Sequence, residues 1–217
     1  MTASGGIRHR CGGEGDISAQ VVVLRFGDRR VPRALADLPI VDVAAPTDVD
    51  ATIEARRLVV VGTQRDLSSV LSRLLRADRL DVEVGFVRQP WQARRARTAD
   101  ARRVPLIRDE TGTVITEAAL WLPPDESSRT ITGEAVVDDV LLFDGQVAGV
   151  RVEPMADAPG LRASVFTSRM RPRRWVTGRA AQLGTTGALV VRDGVPIGKA
   201  ARRSTFYRNT KGWLSVR

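Results

Sequence analysis

Cysteine and histidine are nearly absent from this sequence of 217 residues, which contains only Cys11 and His9. A single cysteine excludes a disulfide within the chain, and one residue of each kind cannot form a Cys/His zinc site. The only histidine lies in a glycine-rich leader, which argues against a Ser-His-Asp or Cys-His arrangement. We therefore expect no catalytic residue of these kinds and no metal site.

Long apolar runs are missing too. None approaches the about 18 consecutive residues of a membrane span, although 43% of the residues are hydrophobic and can form a core. The leader, residues 1–19, has basic residues without an apolar stretch, so it does not resemble a secretory signal. Its GGEGD segment leads into no helix and is not read as a phosphate loop. The sequence predicts a flexible leader, no transmembrane segment and a cytoplasmic protein.

Lysine is scarce, because Lys199 and Lys211 are the only lysines among 34 basic residues, which face 25 acidic ones. Arginine-rich chains often come from GC-rich genomes, so codon bias explains part of the net charge of +9. The charge is uneven: +5 over residues 1–104 (18 basic, 13 acidic), −7 over 105–150 (2 basic, 9 acidic) and +11 over 151–217 (14 basic, 3 acidic). The positive field therefore belongs mainly to the C-terminal third.

Residues 20–104 alternate between strand and helix patterns. One helix has a clear apolar stripe, preceded by Thr63 and Asp66 at the spacing of a capping box. The stripe consists of Leu67, Val70, Leu71, Leu74 and Leu75. The predicted strands are Gln20–Phe26, Pro39–Ala44, Leu58–Val61 and Asp81–Val87, and 48–56 is a candidate short helix. This order indicates parallel strands with right-handed crossovers.

Residues 105–217 show only short strand patterns separated by turn signals, among them Asp144-Gly145 and Asp193-Gly194. The predicted strands include 135–143, 175–183, 188–191 and Trp213–Val216. No helical period appears beyond about residue 104, so an antiparallel sandwich or barrel is expected. The predicted fold class is α/β followed by all-β, with a small parallel βαβ sheet domain (20–104) and an antiparallel β-sandwich domain (105–217).

The junction RLVVVGTQRDLSSVLSRLL, residues 57–75, followed by an all-β half, resembles the diacylglycerol kinase and NAD kinase superfamily. That family has a Gly-Gly-Asp-Gly-Thr loop, then a leucine and an amphipathic helix. With Val59–Val61 as the strand and Leu67 as the leucine, residues 62–66 fall on the loop. The FDGQ segment at 143–146 and RDGV at 192–195 resemble the Asp-Gly turns of the family. The resemblance implies a diacylglycerol-kinase-like fold over residues 20–217.

The loop departs from the family motif at the positions that carry chemistry. Only Gly62 remains of three glycines, and Gln64 stands where the resemblance would place the catalytic Asp. A neutral amide is a poor base and a poor Mg²⁺ ligand. Residues 87–96 also differ from the second nucleotide loop of the family. We expect no catalytic residue and no cofactor, and we assign a candidate phosphate-binding role to Gly62, Thr63, Gln64 and Arg65.

Basic residues cluster twice more. One cluster follows Trp91 and is either an exposed basic helix or ligand-facing: Arg94, Arg95, Arg97, Arg102 and Arg103. The other is interleaved with Trp175, Tyr207 and Trp213, a pattern typical of surfaces for anionic lipid or single-stranded nucleic acid. Its candidate anion-binding members are Arg171, Arg173, Arg174, Arg202 and Arg203.

The alternative for the second cluster is a solvated arginine face over a sandwich core containing Trp175 and Trp213. An acidic block could neutralise this face within the chain or in a partner subunit: Asp125, Glu126, Glu134, Asp138 and Asp139.

Three functions fit these observations. The leading hypothesis is a catalytically degenerate diacylglycerol-kinase-like protein that acts by binding a phosphate-bearing ligand or partner. The alternatives are an active lipid or nucleotide kinase with an altered phosphate loop, and a nucleic-acid-binding protein that uses the C-terminal arginines. The candidate partners are an anionic lipid, a nucleotide or a nucleic acid, and a homo-oligomer stays open.

Overall fold

The computed structural model describes residues 20–125, 127–167 and 169–216, which form two β-sheets; the predicted leader lies outside them. The first sheet has six strands in the order β2-β1-β3-β4-β17-β5. They are β1 (Val21–Phe26), β2 (Ile40–Val43), β3 (Arg57–Val61), β4 (Glu83–Val87), β5 (Ala101–Val104) and β17 (Trp213–Val216). Only β5 and β17 pair antiparallel, so the predicted parallel sheet is confirmed.

Helix α1 (Gln64–Arg76) begins where the capping box predicts. Leu67, Val70, Leu71 and Leu74 are buried and pack against the first sheet, because their spacing of three and four residues puts them on one face. Helix α2 is shorter (Ala93–Thr98), and the candidate helix at 48–56 is a 3₁₀ helix (Pro46–Thr52). Neither α-helix of the described residues is long and apolar enough to cross a membrane.

The guanidinium of Arg57, at the start of the buried strand β3, fixes the end of α2. Arg57 is only 4% exposed. Its Nη2 donates to the carbonyl oxygen of Ala99 at 2.9 Å, and its Nε donates to Glu83 Oε2 at 2.6 Å. A helix C-terminus leaves carbonyl groups without helical partners, and a cation there satisfies them. Arg57 therefore joins β3, β4 and α2.

The second sheet has eleven strands, eight of them in the order β13-β12-β11-β8-β14-β16-β6-β7, while β9, β10 and β15 pair off this path. They are β6 (Ile107–Asp109), β7 (Val114–Ile115), β8 (Ala119–Leu122), β9 (Ile131–Val137), β10 (Val140–Val147), β11 (Val150–Pro154), β12 (Leu161–Val165), β13 (Val176–Gly178), β14 (Ala180–Arg192), β15 (Val195–Pro196) and β16 (Ala201–Arg208). All their pairings are antiparallel, and among the described residues no α-helix follows residue 104. The α/β-followed-by-all-β fold is confirmed.

Strand boundaries in the second sheet differ from the predicted ones. The predicted strand 135–143 is a hairpin, because Asp138 has a left-handed φ of 50° and turns the chain between β9 and β10. Its carboxylate accepts hydrogen bonds from the backbone N–H groups of Arg179 and Ala180, which holds the turn against β14. Asp144-Gly145, predicted as a turn, lies inside β10.

The last strand also differs in place. Trp213–Val216 falls in the sequence range predicted for the β-sandwich, but β17 lies in the first sheet between β4 and β5. Trp213 packs in the core under α1, so it is not part of a sandwich core. A four-residue strand pattern does not reveal which sheet it joins. The division of the chain at residue 104 remains a prediction.

Candidate functional site

At the β3–α1 junction, the carboxylate of Asp66 forms hydrogen bonds with Thr63 in the same loop. Asp66 Oδ2 accepts hydrogen bonds from the backbone N–H of Thr63 at 2.7 Å and from Thr63 Oγ1 at 2.8 Å. In return, Thr63 Oγ1 accepts a hydrogen bond from the backbone N–H of Asp66 at 3.3 Å. Backbone N–H groups at a helix start attract phosphate. Here the side chain of Asp66 already satisfies one of them and places a negative charge beside it.

Residue 62 has to be a glycine because the Asp66 carboxylate lies against its Cα atom. A Cβ atom at Gly62 would lie 2.7 Å from Asp66 Oδ2, closer than a Cβ contact permits. The single glycine left in the loop therefore makes room for Asp66 within the chain. That close approach explains its presence without a phosphate ligand.

The predicted loop residues do not share one face. Gln64 lines the cleft between the two sheets, and its Oε1 is buried without a hydrogen-bond partner among the described residues. Arg65, the next residue, lines a different pocket on another side of α1. Successive helical residues point about 100° apart, so a ligand in the cleft meets Gln64 and not Arg65.

The cleft beside Gln64 has a volume of about 620 Å³. Its walls are apolar and polar in nearly equal parts. The apolar lining includes Val84, Phe86 and Leu106, and the polar lining includes Gln64, Gln92, Arg95 and Thr116. Trp91 stands at the cleft with 77% of its surface exposed. None of the described residues that line it is acidic. The described residues also contain no group of three or more His, Cys, Asp or Glu side chains placed to hold a metal.

The arginines after Trp91 separate into different environments. Arg95 is exposed and lines the cleft. Arg97 faces Asp37 instead, and the hydrogen bonds from its guanidinium hold the pKa of Asp37 below its ordinary value. Arg103 donates to the carbonyl oxygen of Gly212 at 2.6 Å. Of the two predicted alternatives, ligand-facing geometry applies to Arg95.

A second carboxylate, which the sequence did not single out as functional, joins the two halves of the molecule. Asp193 lies in the turn after β14 and accepts hydrogen bonds from the backbone N–H groups of residues 116–118, at 2.9, 2.9 and 3.0 Å. Ser68 Oγ of α1 donates to the same carboxylate. Asp193-Gly194 was visible in the sequence as a turn signal. The contact with α1, which is distant in sequence, was not visible.

The C-terminal arginines occupy two places. Arg171, Arg173 and Arg174 are exposed in the loop after β12, whereas Arg202 and Arg203 are exposed on β16. These five side chains have no ion pair among the described residues. Three strands stand between β12 and β16 in the sheet order, so the two groups are not on neighbouring strands. A shared anion-binding surface remains a prediction.

Other arginines of this half already have carboxylate partners. Glu153 pairs with Arg151 and Arg162, and Arg192 pairs with the fully buried Asp109. Burial alone would raise the pKa of Glu153, but hydrogen bonds and charge from its two arginines outweigh burial and hold the pKa below its ordinary value. These ion pairs neutralise part of the positive charge of residues 151–217.

The aromatic residues near these arginines are covered by the chain itself. The Arg108 guanidinium lies 4.5 Å from the centre of the Tyr207 ring, and that of Arg162 lies 4.3 Å from the Trp175 ring. Trp213 is buried under α1. Nucleic-acid binding by stacking needs open ring faces; an arginine occupies one face of Tyr207 and one face of Trp175, and Trp213 offers none.

Comparison of the sequence with protein-family models and with curated proteins gives no match. Solved structures do match. A diacylglycerol kinase from Bacillus anthracis str. Sterne superposes with a TM-score of 0.68 at 10% identity, over 91% of this chain and 96% of that one. An NAD kinase from Archaeoglobus fulgidus gives 0.63 at 12% identity, over 91% and 93%. Yeast NADH kinase gives 0.53 at 10% identity, over 91% and 83%. The chain has the fold of the diacylglycerol kinase and NAD kinase superfamily.

Proposed function

We propose that this protein is a catalytically degenerate member of the kinase fold, which binds a phosphate-bearing ligand in the cleft without transferring phosphate. The observation that carries the proposal is the β3–α1 junction. The Asp66 carboxylate accepts the hydrogen bond of the Thr63 backbone N–H, so this N–H is not available to a phosphate. Gln64 stands where the family resemblance would place the catalytic carboxylate. The junction thus keeps the shape of the phosphate loop and lacks its chemical groups.

Phosphoryl transfer depends on positioned cations and on a group that accepts the proton of the attacking hydroxyl. Mg²⁺ takes oxygen ligands, and it is usually held by one or two carboxylates. The described lining of the cleft provides no carboxylate, and amide oxygens such as that of Gln64 are weaker ligands. This donor set fits neither a catalytic base nor a Mg²⁺ site, which supports the absence of turnover.

Binding, in contrast, has suitable groups. The Gln64 side chain lines the cleft, and its Oε1 atom is a buried acceptor without a partner among the described residues. A rotation of this side chain toward the cleft would let Oε1 accept a hydrogen bond from a ligand hydroxyl. Arg95 supplies an exposed guanidinium, which suits phosphate oxygens. The Archaeoglobus fulgidus NAD kinase was solved with ATP and the yeast NADH kinase with NADH. Nucleotides and phosphorylated lipids are therefore the first probes to use.

Replacing Arg95 with alanine tests the cleft as the binding site. A hydrogen bond to a charged group contributes about 1.5–3 kcal/mol, so affinity should fall at least about tenfold. Isothermal titration calorimetry with ATP and NADH measures the change. Arg94→Ala is the matched control, because Arg94 is exposed in the same helix and does not line the cleft. Equal losses in both variants, or no binding of any probe by the wild type, would contradict the proposal.

One observation favours a second candidate function, binding to anionic membranes. Met170 is 50% exposed at the tip of the loop after β12, between Arg169 and Arg171. The N–H of Met170 donates a hydrogen bond to the carbonyl oxygen of Thr167 at 2.9 Å, so this tip is a hydrogen-bonded turn. An exposed apolar side chain flanked by arginines suits the boundary between headgroups and acyl chains.

Changing Arg171, Arg173 and Arg174 together to alanine should weaken binding to phosphatidylserine vesicles about a hundredfold, since each basic residue near such a surface contributes about 1 kcal/mol. Affinity of the wild type should fall steeply between about 50 and about 200 mM salt. Vesicle co-sedimentation measures both effects. The matched control is the joint substitution Arg29→Ala, Arg30→Ala and Arg33→Ala, which removes the same number of exposed arginines from the N-terminal part of the described chain.

Stronger binding to single-stranded DNA would favour the nucleic-acid alternative. Binding to neither would identify the arginines as a solvated face.

A further inference from the structure

A second pocket, of about 310 Å³, lies on another side of helix α1 from the cleft. The residues of α1 that line it recur three and four positions apart, which places them on one stripe. They are Arg65, Ser68, Ser69, Ser72, Arg73 and Arg76. Gln64 and Leu67 belong to a different stripe and line the cleft. The two cavities share Val114 and otherwise have different linings.

Both halves of the molecule form the walls of this pocket. Pro46 and α1 come from the first half, while Val114, Val195 and Ile197 come from the second. Ser68 and Asp193 meet at this boundary through their hydrogen bond. A molecule in the pocket would thus contact α1 and the β14–β15 turn at the same time. Its apolar portion would lie against the proline, valine and isoleucine side chains.

The charge of the pocket is strongly positive. Arg65 and Arg76 are exposed and have no ion pair among the described residues. Arg73 is paired with Asp50, and Arg192 with Asp109. The one acidic residue in the described lining, Asp193, already accepts hydrogen bonds from three backbone N–H groups and a serine. Two arginines therefore remain free to bind an anion.

We propose that this pocket is a binding site for a small organic phosphate, whose phosphate group is held by one of the two free arginines of the α1 wall. Arg65 and Arg76 stand about 16 Å apart along the helix axis, so a single phosphate group meets one of them. The planar guanidinium group donates two parallel hydrogen bonds to two oxygens of a phosphate group. The apolar walls accept a carbon chain or ring attached to that phosphate. Because the ligand contacts both halves of the folded protein and not the unfolded chain, its binding raises thermal stability. This proposal does not depend on ligand binding in the cleft.

The experiment is calorimetric titration of the full chain with inorganic phosphate, glycerol 3-phosphate and dihexanoyl phosphatidic acid, with dihexanoyl phosphatidylcholine as the probe lacking a phosphomonoester. The joint substitution Arg65→Ala and Arg76→Ala should weaken binding of the phosphomonoesters at least tenfold and abolish the rise in melting temperature. Arg94→Ala, which changes an exposed arginine that lines neither pocket, should leave both unchanged. Both arginines are exposed and have no ion pair within the described part of the chain, so the double variant should fold, and its melting temperature without ligand verifies this.

The source of the phosphate follows from the relative affinities. Tighter binding of dihexanoyl phosphatidic acid than of glycerol 3-phosphate assigns the site to a lipid headgroup, and comparable affinities assign it to a water-soluble phosphate; both retain the site. Three results would overturn the proposal: unchanged affinity in the double variant, an equal loss in Arg94→Ala, or no binding of any phosphomonoester at millimolar concentration.

Discussion

Replacing Asp193 with alanine is expected to lower the free energy of unfolding by about 3–5 kcal/mol, because it leaves three backbone N–H groups without their acceptor, at about 1–3 kcal/mol for each buried group, and removes one of the two partners of the Ser68 hydroxyl. The estimate is below the full sum since the site is half-buried and water replaces part of the loss. Chemical denaturation of wild type and variant measures the difference. Asp193→Asn should lose an intermediate amount, because one of the two acceptor oxygens becomes a donor.

Asp144 provides the matched control for this experiment. It precedes a glycine as Asp193 does, but it lies exposed within β10 and faces Glu134 across the strand pair. Asp144→Ala should change stability by less than about 0.5 kcal/mol, as exposed substitutions do. A similar destabilisation by both substitutions would contradict the assignment of Asp193 as the link between the two halves.

The second large effect is expected at Arg57. Arg57→Met leaves Glu83 without its cation and the carbonyl groups at the end of α2 without a donor. Removing one partner of a buried ion pair costs about 3–5 kcal/mol. Urea denaturation measures this loss, and Arg56→Met is the control, because Arg56 is the exposed neighbour in sequence.

The double variant Arg57→Met, Glu83→Met separates the charge effect from packing. It removes the stranded carboxylate, so it should recover part of the stability that Arg57→Met loses. If the single variant unfolds at the wild-type denaturant concentration, Arg57 does not hold α2 as its geometry indicates. If the double variant is the less stable of the two, the carboxylate of Glu83 has a favourable role of its own.

Local sequence signals predicted the first half of the fold well. The capping box at Thr63 and Asp66 and the leucine stripe fix α1, because both depend on residues within a few positions of one another. The alternation of strand and helix then required parallel pairing. The place of Trp213–Val216 was not predictable, since pairing with β4 depends on residues more than a hundred positions earlier in the chain.

The candidate site was predictable only in part. The loop sequence showed that Gln64 replaces the carboxylate expected from the family motif. The capping box already implied that Asp66 bonds back to Thr63, but it did not show that this bond takes up an N–H group at the candidate phosphate loop. The sequence analysis grouped Arg65 with Gln64, although helix α1 places the two side chains on different sides. Local patterns also could not distinguish Arg95 from Arg94, because only the folded chain shows which of them lines the cleft. They could not distinguish Asp193 from Asp144 either, because the partners of Asp193 are distant in sequence.

Binding without phosphate transfer is tested most directly by phosphorus NMR of the protein with ATP and Mg²⁺, in the presence of diacylglycerol, a sphingoid base or NAD as acceptor. We expect no ADP and no phosphorylated acceptor above a protein-free control, in the wild type and equally in Gln64→Asp, because one restored carboxylate does not free the N–H of Thr63 from Asp66. Accumulation of ADP with a phosphorylated acceptor, abolished by Gln64→Ala, would contradict catalytic degeneracy and establish an active kinase with an altered loop.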